Sequence, residues 1–163
     1  MSPIQKTSFK LSPIDQLAIV VKDLDKAVEF YTTKLGWGPF NIIEVDSKGS
    51  IYRGKPTGCR LKIAFGRSGL IEIEIFQVLE GNSPHVEFLR TKGEGLHHVR
   101  CKVDDLDEAL AEWAKEGIEP VWVNRDPIAS VAYMDTDKSG GVMVELIQWH
   151  LPDEWTKLKK GKS

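Results

Sequence analysis

At 163 residues, 41% of them hydrophobic, and with a formal charge of −2, the chain fits one domain with a sizeable core, whereas each half alone would be of marginal size. The charges are spread along the chain, which leaves no footprint for nucleic acid or an anionic membrane and favours a small-molecule partner. There is no apolar run of ~18 residues and no apolar segment near the start, so neither a membrane span nor a signal peptide is expected, and the location expected is cytosolic.

In chain order, residues 16–21 alternate and carry enough β-branched side chains for a strand. Asp23 then caps a helix whose Leu24, Ala27, Val28, Tyr31 and Leu35 recur at helical spacing, and Gly36 ends it. GWGPF breaks the chain before a second strand at 41–45, and DSKGS makes a turn. Residues 59–65 alternate apolar and basic residues, RSG turns the chain, and 70–78 form another strand, so the first half reads β-α-β-β-β. Ser83 and Pro84 open a short linker helix within 83–92. The second half repeats the order. A strand at 98–103 precedes a helix capped by Asp105 with Glu108 in capping-box spacing, carrying Leu106, Ala109, Leu110 and Trp113 on one face and ended by Gly117. Strands at 120–124 and 130–134, the turn DTDKSGG and a strand at 142–148 complete it. The lysine-rich residues 151–163 read as a solvated tail. Cys59 and Cys101, with no CxxC spacing, read as free core thiols.

The halves are written in the same hand. DQLAIVVKDLDKAV, starting at Asp15, aligns with GLHHVRCKVDDLDEAL, starting at Gly95, so that at a constant offset Gln16 falls on His98, Asp23 on Asp105 and Ala27 on Ala109. EIEIFQ at 72–77 aligns with MVELIQ at 143–148, placing Glu74 on Glu145. A strand–helix unit repeated once, with a ligand-capable residue at the same two points of each copy, suggests a pseudo-twofold fold with a site on its axis. The four candidates are Gln16, Glu74, His98 and Glu145.

These stretches, with AYMDTDKSGGVMVELIQ, resemble the vicinal oxygen chelate superfamily of glyoxalases, methylmalonyl-CoA epimerases, extradiol dioxygenases and bleomycin-resistance proteins. The resemblance implies an α+β fold of two paired β-α-β-β-β modules forming a cup-shaped sheet, as a single domain over 1–150 (module one 14–80, module two 96–149). It also implies a divalent metal held by one residue from the first and one from the last strand of each module, here Gln16, Glu74, His98 and Glu145. Most metal-binding relatives have His where Gln16 stands. EIFQV is closer in look to the epimerases than to the dioxygenases.

Strand periodicity places Gln16, Ala18 and Val20, His98, Arg100 and Lys102, Glu74, and Glu145 on the cup side. By the same count His97 points away. Buried glutamates must reach solvent or meet a cation. The mixed nitrogen and oxygen donors suit zinc, nickel, cobalt or manganese. Such an ion would polarise a substrate carbonyl, and the resemblance implies Glu145 as base, with Glu74 as its counterpart on the other side of the axis. Arg100, together with Arg60 and Lys62, would favour an anionic substrate, a small carboxylate or an acyl-CoA thioester. The loop YRGKPTG lacks the second acid that similar epimerases have there. The expectation is a metal-dependent isomerase, epimerase or lyase acting through an enolate, working as a homodimer. The contrasting reading is a metal-free binding protein of the bleomycin-resistance type, with Gln16 marking a lost site.

Overall fold

The computed structural model describes residues 11–136 and 141–150; the tail expected at 151–163 and part of the turn DTDKSGG lie outside them. The elements are β1 (Gln16–Val20), α1 (Leu24–Leu35), β2 (Asn41–Asp46), β3 (Ser50–Tyr52), β4 (Lys55–Thr57), β5 (Cys59–Ser68), β6 (Ile71–Gly81), α2 (Pro84–Thr91), β7 (Gly95–Lys102), α3 (Leu106–Lys115), β8 (Pro120–Arg125), β9 (Ala129–Met134) and β10 (Met143–Trp149). They form one ten-stranded sheet in the order β2-β5-β6-β1-β7-β10-β9-β8-β3-β4.

The eight strands from β2 to β8 in that order read the same from both ends, with β3 and β4 added beyond β8. β1 and β7 meet antiparallel at the centre, and each pairs in parallel with the last strand of its own module, β1 with β6 and β7 with β10. Both helices start under the same control. The Asp23 carboxylate accepts from Lys26 N and that of Asp105 from Glu108 N, each supplying a donor at the helix start with the acceptor it lacks. The repeated glutamines at the ends of EIFQ and ELIQ serve the next donor, with Leu24 N donating to Gln77 Oε1 at 2.9 Å and Leu106 N to Gln148 Oε1 at 3.1 Å. Gly36 adopts the left-handed conformation (φ 68°) that ends α1.

The central strands pack on both faces, against different neighbours. Outside, Leu24 and Val21 pack on Ile73, Ile75 and Ala64, and Leu106 and Ala109 pack on Cys101, Ala132 and Leu146. Inside the cup, Ala18 and Val20 meet Cys59, Leu61, Ile63, Phe65 and Phe76, with Phe88 and Leu89 of α2 across the floor. Both cysteines are free and buried.

The first module departs from the expected β-α-β-β-β order in one respect. Residues 50–57 form a hairpin, β3–β4, that leaves its own module and pairs through β3 with β8, the outer strand of the other. Arg53 N donates to Val121 O at 2.8 Å, Ser50 Oγ to Asn124 Oδ1 at 3.2 Å, and the Tyr52 hydroxyl and Arg53 guanidinium both bond Glu87 on α2. Among the described residues the hairpin has no counterpart in module two.

A candidate metal centre at the pseudo-twofold axis

The four repeated positions come together on the inner face of the central strands. Gln16 stands opposite Arg100 and beside Glu72, Glu74 beside Ala18, which faces His98, and Glu145 beside Arg100. All four side chains are buried: Gln16 and His98 are fully covered, while Glu74 and Glu145 are 6% exposed. His98 Nε2 lies 3.3 Å from Glu145 Oε2 and 3.8 Å from Glu74 Oε2. Glu74, His98 and Glu145 each offer a ligand atom within 4.8 Å of the others.

Three observations fit a divalent ion here. Donors bonded at about 2.1 Å and at tetrahedral angles stand roughly 3.4 Å apart, close to both separations at His98. Gln16 Oε1, His98 Nε2 and Glu145 Oε2 are buried yet make no hydrogen bond, an expensive state unless a cation accepts their lone pairs. The two glutamates would neutralise a divalent charge, whereas two carboxylates gathered in a closed site without one repel each other. The amide of Gln16 is also turned the right way. Its Nε2 donates to Glu72 Oε1 at 2.7 Å, and since an amide oxygen facing that carboxylate would be repelled, the oxygen is left for the site.

Arg100 lies on the cup face, as periodicity requires, but its guanidinium is committed within the protein. Nε donates to Asp15 at 2.8 Å and Nη1 to Glu72 at 3.0 Å, with 6% of the residue exposed. Burial pushes the Asp15 carboxyl up, but the bond and charge of Arg100, with Lys102, outweigh it and hold it below the usual carboxylate value. The structure thus gives Arg100 the work of tying Asp15 and Glu72 behind Gln16. Arg60 and Lys62 do not reach the cup. β5 turns Cys59, Leu61 and Ile63 inward, which sends Lys62 outward to Asp25 on α1 at 2.6 Å and Arg60 to Glu44 and Glu80 on the surface. The alternation of the strand was read correctly, and its inner face is the apolar one.

His97 is the second correction. The pairing of β1 with β7 slips, so that Ala18 faces His98 while Ile19 faces Leu96, and His97 is the extra residue of a β-bulge. Instead of pointing away it is buried beside its neighbour, Nδ1 to Nδ1 at 2.9 Å. It stacks on His85 of α2, with centroids 4.6 Å apart, and His85 stacks on Phe76 at 4.4 Å. Tyr133 covers the His98 ring at 4.7 Å and its hydroxyl meets His85 Nε2 at 3.3 Å. Burial drives the His85 imidazole down to about 3, with the charge of His98 adding to it. Burial, then the charges of Glu145 and Glu74, push the Tyr133 phenol well up. Three residues of this aromatic wall, His85, His97 and Tyr133, escaped the sequence reading. The HH pair was a visible signal for His97, but nothing local marks His85 or Tyr133.

A sheet of two pseudo-symmetric modules with ligand-bearing strands at its axis defines a class, and the sequence agrees. Residues 15–133 match the Glyoxalase/Bleomycin resistance protein/Dioxygenase superfamily, to which the chain belongs. Among its relatives, the chain is 28% identical over 156 residues to the mitochondrial methylmalonyl-CoA epimerase of Mus musculus, spanning 90% of this chain and 80% of that one. Among solved structures, a Streptomyces coelicolor methylmalonyl-CoA epimerase variant in complex with 2-nitronate-propionyl-CoA superposes with a TM-score of 0.65 at 22% identity, covering 86% of this chain and 96% of that one. The methylmalonyl-CoA epimerase of Mycobacterium tuberculosis gives 0.63 at 21% identity, covering 94% and 97%. At those identities the structural likeness is one of fold.

Proposed function

We propose that this protein is a divalent-metal-dependent epimerase or isomerase that moves the proton on a carbon next to a carbonyl, in an acyl-CoA thioester or a small carboxylate. The observation that carries the reading is the convergence of Glu74 and Glu145, one from each module, on His98 at 3.8 and 3.3 Å. The similarity to methylmalonyl-CoA epimerases supports the epimerase over the lyase form of the same chemistry. Gln16, Glu74, His98 and Glu145 would hold the ion, which when bound supplies positive charge to the substrate's carbonyl oxygen.

The rest of the chemistry belongs to the side chains. The Glu145 carboxylate takes the α-proton: the C–H bond breaks, an O–H bond forms, and the electron pair moves into the carbonyl as an enolate. Glu74, across the axis, having taken a proton from solvent, delivers it to the opposite face, which inverts the carbon, and Glu145 releases its own proton to solvent. This assignment dispenses with an acid in the loop before β5, where the hairpin carries Tyr52, Arg53 and Lys55 and no carboxylate. A pocket lined by Arg53, Glu87, Lys92, His97, Asp135 and Met143 lies beside His97, and its two cations are matched by two carboxylates, so its charge favours neither sign of substrate.

The test is solvent deuterium exchange into 2-substituted acyl-CoA thioesters and acids, followed by proton NMR with zinc, cobalt, nickel or manganese added. Metal-dependent exchange should fall by at least about 100-fold in Glu145→Gln, the scale of a lost general base. Tight binding across the panel with no metal-dependent exchange would favour a binding protein instead.

A further inference from the structure

We infer that His97 is a positioning residue for the metal centre: its Nδ1 accepts the Nδ1 proton of His98, which leaves the His98 Nε2 lone pair facing the two glutamates. The inference rests on the reading of Gln16, Glu74, His98 and Glu145 as ligands. Two ring nitrogens 2.9 Å apart share one proton, so one ring donates and the other accepts. If His97 donated, the proton of a neutral His98 would sit on Nε2, the atom that stands 3.3 Å from Glu145 and 3.8 Å from Glu74, and ligation there would be blocked. Ligation through His98 Nε2 therefore requires the other arrangement, in which His98 Nδ1 donates and His97 Nδ1 accepts across the 2.9 Å contact.

The ring is also fixed in place. His85 stacks on it at 29° between planes, Phe88 meets it edge-on at 5.1 Å, and Tyr133 closes a third side at 5.5 Å. A hydrogen-bond partner so constrained sets both the tautomer and the orientation of the ligand behind which it stands. The β-bulge acquires a purpose on this account. In a regular strand the residue before His98 would lie on the opposite face of the sheet from it, and bulging β7 by one residue brings an acceptor to the back of the ligand.

Long-range proton–nitrogen NMR of the metal-free protein, with the histidine rings labelled, tests the proton's place directly. The expected spectrum has His98 protonated at Nδ1 and His97 protonated at Nε2 alone; a proton on His97 Nδ1 overturns the inference. Zinc affinity by chelator competition is the second readout. His97→Phe keeps the ring and its stacking but accepts nothing, and should weaken zinc by about 10- to 100-fold; His97→Asn, whose Oδ1 can accept, should recover most of that. Equal affinity in all three proteins overturns the inference, and if His97→Phe does not fold, the NMR of the parent decides. A parent that binds no zinc sinks the ligand reading and this inference with it. A parent that binds zinc with the proton on His97 Nδ1 sinks this inference alone.

Discussion

His85 is fully covered, stacked between Phe76 and His97, and its burial couples the cup to pH. In the unfolded chain this imidazole takes up a proton near 6.5, whereas in the folded protein burial holds it off until about 3. Between those values the unfolded state binds the extra proton. The stabilisation from keeping His85 neutral is therefore complete above about pH 6.5 and shrinks as pH falls toward 3, by about 1.4 kcal/mol per pH unit. Asp15 works in the same direction further down, since its carboxyl is held low by Arg100 and its stabilisation is lost only as pH falls through that depressed value. Urea unfolding of the parent and of His85→Phe at a series of pH values separates the two. The variant keeps the stack, so its stability should fall between pH 6 and 4 with a slope shallower by about one proton. Parallel curves would mean that His85 is protonated in the fold.

At the scale of elements, what was legible in the sequence was what local chemistry writes. Asp23 and Asp105 as caps, Gly36 as a stop, Pro84 in the first turn of α2 and the alternation of Glu74 with Ile73 and Ile75 all hold in the structure. The bulge at His97 was not legible, because one extra residue in a strand changes no residue type and shows itself only in the pairing with β1. Nor was the β3–β4 hairpin, whose strands are three residues each, one containing Pro56, and whose partner β8 lies in the other half of the chain. Pro56 fits there because β4 is the last strand of the sheet and needs no further donor. The hairpin is secured to α2 chiefly by Glu87, whose carboxylate takes the Tyr52 hydroxyl and the Arg53 guanidinium. Glu87→Ala should therefore speed amide exchange across residues 50–57 while costing global stability about 1 kcal/mol or less, since the Arg53 pair is largely solvated. Unchanged exchange would show that the pairing with β8 holds the hairpin alone.

For the molecule as a whole, the repeat explains why the centre lies where it does. Two modules meet along β1 and β7, and the strands that flank this seam in each module, β6 and β10, bring one glutamate apiece to it. An ion bound there joins both modules, so its binding free energy adds to the stability of the folded chain, by about 2.7 kcal/mol when its concentration is 100 times the dissociation constant. Among the described residues no helix is long and apolar enough to cross a membrane. The chemistry proposed for Glu74 and Glu145 presupposes the ion, and its presence is therefore the claim to test first. Protein purified without a histidine tag, stripped with chelator and titrated with zinc should bind one ion per chain, with unfolding moved to higher temperature, and His98→Ala should lose both effects while keeping the circular dichroism of the parent. No stoichiometric binding by the parent, or equal binding by the two proteins, would contradict the account.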